Sequence, residues 1–126
     1  ALRAFASAKQ AIEAAFAAIR PGVKGWEVDK AARDVHLANG FPEISHATGH
    51  QVGRHVHDGG TMLGPRWERY GEAPYGELEE GNVFTIEPTI LMSPKPSMLV
   101  EENVVVTATG AEWLSERQME LWVAGR

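Results

Sequence analysis

The chain has 126 residues, 44% of them hydrophobic, with no cysteine and a net charge of −5 from 12 Lys and Arg against 17 Asp and Glu. That length suits one domain, or part of one, and leaves no room for two independent cores. The acidic balance without a basic stripe predicts no nucleic-acid partner, and the lack of cysteine excludes disulfides and thiolate metal ligands.

Two helices are predicted in the first third of the chain. Residues 2–20 are rich in alanine, and Pro21-Gly22 follows them as a stop signal. A second helix is predicted over 26–38, before Asn39-Gly40. Apolar residues recur at near-helical spacing in both segments: Phe5, Ile12, Phe16 and Ile19 in the first, and Val28, Ala31, Ala32, Val35 and Leu37 in the second.

The apolar run 14–19 in the first helix is too short to span a bilayer. No signal-peptide cleavage pattern is present either. The sequence therefore predicts no membrane partner and a cytoplasmic protein.

Strands are predicted in the second half. Residues 83–87 and 99–107 are rich in β-branched residues, and Thr109-Gly110 makes a hairpin turn into 112–114. The segment 66–76 is predicted to be a loop, and 116–123 a short helix. Helices first and strands after indicate an α+β fold, with helices on one face of a mainly antiparallel sheet.

Four of the five histidines lie between His46 and His57. A single histidine is more often a surface or hydrogen-bonded core residue than a metal ligand, but the cluster favours a role as a ligand. The helical zinc-peptidase motif fits poorly, because Ala47-Thr48-Gly49 is poor helix and no Glu follows His46. The pair His55 and His57 leaves open a cupin-like metal barrel, although no histidine follows downstream.

Two carboxylates stand at strand ends. Glu87 shares one face of its strand with Val83 and Thr85, and a buried carboxylate there needs a cation or a donor. Glu101 stands at the head of the later strand, and chemistry alone does not choose between it and Glu102. The alternative for each carboxylate is that it has no functional role and lies in solvent at the end of its strand. One imidazole and two carboxylates suit Mn, Co, Fe or Zn, and the lack of Cys argues against a closed structural zinc site.

Three blocks in this order resemble the pita-bread metallopeptidases, and the resemblance covers nearly the whole chain. They are SHATGHQVG (45–53) with VHD (56–58), EGNVFTIEP (80–88), and EENVVVT (101–107) with TGAEWL (109–114). The spacing of the histidines, and the 14 positions between Glu87 and Glu101, resemble the Xaa-Pro peptidases (prolidase and aminopeptidase P) more than the methionine aminopeptidases.

The resemblance implies His50, Glu87 and Glu101 as metal ligands. It also implies that His46 and His57 line the substrate site, with His57 contacting the scissile carbonyl, and that Glu87 shuttles a proton. His36 and His55 match nothing in the pattern and are expected at the surface.

Two departures from the family pattern stand out. The family's dinuclear centre needs two further aspartates; neither Asp29 nor Asp34 has the order or spacing for them, and the pattern places them before Ala1. Proline-specific members carry an Arg where this chain has Leu99. The expectation is that 1–126 is the C-terminal part of a pita-bread catalytic domain, and that the upstream part with the two Asp ligands is absent.

The predicted function is that of a metal-dependent peptidase acting on Xaa-Pro bonds, in which metal-activated water attacks the peptide carbonyl. Two divalent ions are expected in the intact enzyme, with Mn favoured over Co, Zn or Fe. The expected partners are a peptide with proline after the scissile bond and a second copy in a homodimer of the full-length protein. The chain alone is expected to be inactive. A catalytically silent pita-bread module that binds peptides or proteins is the alternative.

Overall fold

The computed structural model describes residues 1–125, in which two helices precede five short strands. Helix α1 spans Leu2–Ala18 and α2 spans Gly25–Ala38. The strands are β1 (Gly49–His50), β2 (Met62–Leu63), β3 (Val83–Ile86), β4 (Glu102–Val106) and β5 (Ala111–Trp113). The predicted α+β fold is confirmed.

Helix α1 ends two residues before the predicted end. Ile19 is already extended, with φ −75° and ψ 123°, and Arg20 precedes Pro21, a position that disfavours helical backbone. Helix α2 begins one residue before the predicted start, and Glu27 caps it by accepting the N–H of Lys24 at 2.9 Å. Neither helix within 1–125 has the length and hydropathy that a membrane crossing needs.

The strands form two antiparallel sheets that meet along β1 and β3. In one sheet β1 pairs with β2, and in the other β3 pairs with β4 and β4 with β5. An isolated bridge between Gln51 and Phe84 joins them, and the N–H of Val52 donates to the carbonyl of Val83 at 2.9 Å. The five strands therefore present one continuous surface.

The core lies between the two helices and one face of the β3–β4–β5 sheet. Its fully buried members come from every layer: Ala8, Ile12, Val28, Ala32, Phe84, Ile86 and Val104. Apolar residues at i, i+3 and i+4 supply the helical side, and alternate strand residues supply the other. Leu37, predicted on the apolar face of α2, is instead 49% exposed.

Three predictions of local structure were wrong. The loop 66–76 contains two 3-10 turns, Glu68–Tyr70 and Ala73–Tyr75. The strand predicted over 99–107 is shorter, because its ladder to β3 is interrupted beyond Glu102. The tail 116–123 is not helical. Its backbone groups are bound elsewhere, since the N–H of Gln118 donates to Glu102 Oε1 and the carbonyl of Met119 accepts from Lys9.

Candidate metal centre

Strand register fixes which carboxylates share a face of the sheet. Strand β3 pairs with β4 so that Ile86 lies opposite Glu102. The ladder ends at this pair, and the same register carried one residue further would set Glu87 opposite Glu101. Because successive side chains alternate between faces, Ile86 and Glu102 face the core, where they are 0% and 4% exposed. Glu87 and Glu101 therefore share the opposite face.

His50 reaches this face from β1. Its N–H donates to Thr85 Oγ1 at 3.1 Å, and the N–H of Glu87 donates to the carbonyl of Thr48 at 2.6 Å, so β1 lies alongside β3. The imidazole Nε2 of His50 is 3.5 Å from Glu87 Oε2. The fold thus brings two of the three predicted ligands together, while their role as ligands stays a prediction.

Gly49 makes the close approach of β1 to β3 possible. A Cβ at this position would lie 1.9 Å from the carbonyl oxygen of Thr85, which is a backbone atom and cannot move away alone. Any side chain here would push β1 off β3 and carry His50 away from Glu87.

The structure separates Glu101 from Glu102. Glu102 Oε1 accepts the N–H of Gln118 at 3.1 Å inside the protein. Glu101 is largely exposed. The charged groups that act on its carboxylate are Glu87 and His50. Partial burial of its carboxyl group raises the pKa of Glu101, the negative charge of Glu87 raises this pKa further, and His50 lowers it. Glu101, and not Glu102, is therefore the carboxylate coupled to His50 and Glu87.

His46 and His57, the two remaining predicted site residues, line one cleft with His50 and Glu87. The cleft has a volume of about 250 Å³, and its wall includes His46, His50, His57, Met62, Tyr70 and Glu87. The rings of His50 and His57 are 4.2 Å apart. A larger cleft of about 520 Å³ between α1 and residues 119–121 contains no histidine, so size alone does not identify the site.

The donor set fits a divalent cation in part. Imidazole nitrogen and carboxylate oxygen are ligands that Mn, Fe, Co and Zn accept, and His50 and Glu87 meet at 3.5 Å. Within residues 1–125, however, no three His, Asp or Glu side chains are grouped so as to hold a metal ion. The chain therefore offers two possible donor side chains in contact, His50 and Glu87, and a second carboxylate, Glu101, within electrostatic reach of both.

A buried ion pair holds the histidine segment against α2. Asp29 pairs with Arg33 at 2.9 Å, and Asp29 Oδ1 also accepts the N–H and the hydroxyl of Thr48 at 3.1 and 2.8 Å. Arg33 donates to the carbonyls of Ile44 and His46. Asp29 is thus a scaffold residue on α2 whose carboxylate is bonded to Arg33 and Thr48. The sequence did not single out this network, because an Asp–Arg pair four apart is also typical of an exposed helix face.

The expectation that His36 lies at the surface was wrong. The ring is 0% exposed, and Nδ1 lies 2.8 Å from the hydroxyl of Ser7. Burial lowers the pKa of His36; the backbone of Pro88 opposes this, and Arg33 adds to the lowering. The helical spacing could have predicted the burial of His36, because this residue continues the row of Val28 and Ala32 at i+4 spacing.

His55 is exposed, as expected, and lies outside the cleft. The two-apart pair His55 and His57 therefore does not form a shared site, and the α+β fold excludes the cupin-like barrel. Tyr70 lines the cleft although the sequence assigned it to a loop; no periodicity or motif marks it.

Comparison with known proteins identifies relatives in sequence and in fold. The Xaa-Pro dipeptidase of Pyrococcus furiosus is 32% identical over 114 residues, which cover 90% of this chain and 29% of that protein. The crystal structure of the dipeptidase PepE from Mycobacterium ulcerans superposes with a TM-score of 0.82 at 35% identity, over 93% of this chain and 30% of that one. A dipeptidase structure from Pyrococcus horikoshii gives a TM-score of 0.84 at 32% identity, over 95% and 32%.

These likenesses confirm the pita-bread fold, and the chain spans about 30% of the length of the relatives it matches. The sequence model of metallopeptidase family M24 matches residues 1–108, which is most of the chain. The chain belongs to metallopeptidase family M24.

Proposed function

We propose that this chain is the C-terminal part of the catalytic domain of a metal-dependent peptidase that acts on Xaa-Pro bonds. The observation that carries the proposal is the contact of His50 with Glu87 at 3.5 Å, with Glu101 within electrostatic reach of both. Membership of family M24 and relatives named Xaa-Pro dipeptidase support the peptidase class.

His50, Glu87 and Glu101 would hold a divalent cation, with Mn favoured over Co, Zn and Fe. Two of the three donor groups are carboxylates, which favour the harder ions of that series. The third is an imidazole, which also binds the softer ions. When bound, such a cation supplies Lewis acidity, which polarises a peptide carbonyl and makes water a stronger nucleophile.

The other groups in the cleft have roles that follow from their chemistry. The carboxylate of Glu87 accepts a proton from the attacking water and passes it to the leaving amine. His57, whose ring lies 4.2 Å from that of His50, donates a hydrogen bond to the scissile carbonyl oxygen as negative charge develops there. His46 lines the cleft beside them and contacts the substrate.

Two further aspartates would be needed to complete the proposed centre and to hold a second ion. Within residues 1–125 neither Asp29 nor Asp34 serves this purpose, because Asp29 is buried in its pair with Arg33 and Asp34 pairs with Lys30 on α2. We therefore place the missing carboxylates in the upstream part of the domain and expect the 126-residue chain alone to be inactive.

Proline after the scissile bond is the proposed substrate feature, on the strength of the relatives' names. Leu99, where the resemblance implies an Arg in proline-specific members, is 59% exposed and brings no charge to the site. The homodimer and the cytoplasmic location stay predictions.

The experiment compares hydrolysis of Ala-Pro, with added Mn²⁺, by the 126-residue chain and by the same chain expressed with the coding sequence upstream of Ala1. We expect turnover by the longer protein only, and its loss in Glu87→Gln. A matched control is Glu79→Gln, in an exposed turn away from the cleft. Equal turnover by Glu87→Gln would contradict the proposed role.

A catalytically silent peptide-binding module is the second candidate. It is favoured by one observation, that residues 1–125 hold no group of three side chains placed for a metal ion. Ala-Pro binding without hydrolysis by the longer protein, at saturating Mn²⁺ or Co²⁺, would select this candidate.

A further inference from the structure

Tyr70 is held at the wall of the cleft by contacts to its hydroxyl oxygen. It ends the 3-10 turn Glu68–Tyr70. The oxygen accepts the N–H of Ala47 at 3.0 Å and lies 3.4 Å from Nη2 of Arg69. Ala47 immediately follows His46, and both residues line the same cleft as Tyr70.

The ring of Tyr70 is fixed as firmly as its oxygen. It stacks on Trp67 with centroids 5.8 Å apart and planes at 17°. The guanidinium groups of Arg33 and Arg69 lie 5.0 and 4.7 Å from the centroid of the same indole. Arg69 also donates to the carbonyl of Ser45 at 2.5 Å. The phenol is therefore preorganised, so a ligand that binds it need not order it.

The hydroxyl of Tyr70 still has a hydrogen to donate. A phenol can accept and donate at once, and within residues 1–125 Tyr70 is bonded only as an acceptor. A hydroxyl that already accepts hydrogen bonds is a stronger donor, because the bonds polarise one another. Tyr70, which carries this donor, lines the same cleft as His46 and Glu87.

We propose that Tyr70 is a substrate-binding residue that donates its hydroxyl hydrogen to a carbonyl or carboxylate oxygen of a peptide in this cleft. The inference rests on the proposed function, since it takes the cleft as the peptide site. It adds an uncharged donor to a wall whose other polar groups are three imidazoles and a carboxylate. Phenylalanine keeps the ring but removes the whole hydroxyl, and with it both the donor and the acceptor of the Ala47 N–H, so a second readout must separate the two effects.

The test measures binding of two probes, Ala-Pro and Ala-Pro amide, to the 126-residue chain by NMR titration without added metal. The variants are Tyr70→Phe and, as the matched control, Tyr75→Phe. Tyr75 is the other tyrosine of the chain, ends the neighbouring 3-10 turn and is 44% exposed outside the cleft. The ¹³Cζ signals of the two tyrosines provide a second readout in the unmutated chain.

We expect Tyr70→Phe to weaken binding by roughly 2- to 10-fold if the acceptor is a carbonyl. For the acid probe we expect at least about 10-fold if it is the carboxylate, because hydrogen bonds to charged groups are stronger. Tyr75→Phe should bind like the unmutated chain. The Tyr70 ¹³Cζ signal should move on saturation with a probe, and that of Tyr75 should not.

Each other result overturns the inference in a distinguishable way. Unchanged binding by Tyr70→Phe excludes donation and leaves peptide binding by the cleft intact. Weaker binding with a stationary Tyr70 ¹³Cζ signal means that the phenol acts only through Ala47. Failure of the unmutated chain to bind either probe contradicts both the role of Tyr70 and the proposed peptide site.

Discussion

The Nε2 atom of His50 lies 3.5 Å from Oε2 of Glu87, although the two residues are 37 positions apart in the sequence. His50 belongs to a two-residue strand, and Glu87 is the first residue after a four-residue strand. Neither side chain is positioned by its own element alone. The pair exists because β1 is bonded along β3 and because α2 holds the segment before β1 in place.

The first prediction concerns the approach of β1 to β3. Gly49→Ala should destabilise the chain by about 1–3 kcal/mol or more, because its Cβ would lie 1.9 Å from the carbonyl oxygen of Thr85. Gly110→Ala is the matched control: its nearest neighbour would be 3.8 Å away, so we expect a change within about 0.5 kcal/mol. Urea denaturation measures both, and equal stabilities would contradict the close contact.

The second prediction concerns the buried ion pair. Asp29→Asn leaves the buried Arg33 with only the exposed carboxylate of Glu43 at 3.7 Å and should cost about 3–5 kcal/mol. Asp34→Asn removes an exposed i,i+4 pair with Lys30 on the same helix, and we expect about 0.5 kcal/mol or less. Denaturation midpoints compare the two. A small effect of Asp29→Asn would mean that water replaces the pair.

The third prediction concerns pH. Because burial lowers the pKa of folded His36 below its usual 6.5, the unfolded chain takes up this proton first as the pH falls. The contribution of neutral His36 to the free energy of unfolding is therefore complete above pH 6.5 and decreases as the pH drops from 6.5 through the folded pKa.

Urea denaturation at pH 7.5 and 5.5 tests this window with His36→Gln and the exposed control His55→Gln. We expect the first variant to lose part of the stability decrease between these pH values and the second to keep it. Glu101, whose pKa is raised, makes the free energy of unfolding change with pH in the opposite direction. It does so in all three proteins, so its effect cancels when they are compared. The same decrease in all three would exclude His36 as its source.

Much of the fold follows from local sequence patterns. The two helices, the strand at 83–86 and the hairpin into β5 all follow from spacing and turn residues, because each element buries one regular face. The same periodicity placed Glu87 on the strand face opposite Phe84 and Ile86. By contrast, the tail was predicted as a helix and is not one, since Glu102 and Lys9 bind its backbone from distant elements.

Only those residues of the candidate site that lie within sequence motifs could be predicted. Strands β1 and β2 have two residues each, so no periodicity marks them, and their pairing depends on contacts with β3 far along the chain. The Asp29–Arg33 pair and Tyr70 lie outside any motif. They act through backbone groups of residues 44–48, and a sequence does not show which distant side chain a carbonyl or N–H will meet.

The fourth prediction concerns the coupling of the two carboxylates. The negative charge of Glu87 raises the pKa of Glu101 in addition to the effect of burial. Glu87→Gln should therefore lower the pKa of Glu101, measured from its ¹³Cδ shift, whereas the turn variant Glu79→Gln should leave it unchanged. A pKa that stays constant in Glu87→Gln would place the two groups too far apart to share a cation.

The most direct test of the metal centre is calorimetric titration of the 126-residue chain with Mn²⁺, Co²⁺ and Zn²⁺, beside His50→Ala and the exposed control His55→Ala. We predict that the chain and the control bind one ion weakly, because only three of the proposed ligands are present, and that His50→Ala loses this binding. Equal binding by His50→Ala, or no binding of any of the three ions by the unmutated chain, would contradict the assignment of His50, Glu87 and Glu101 as a metal centre.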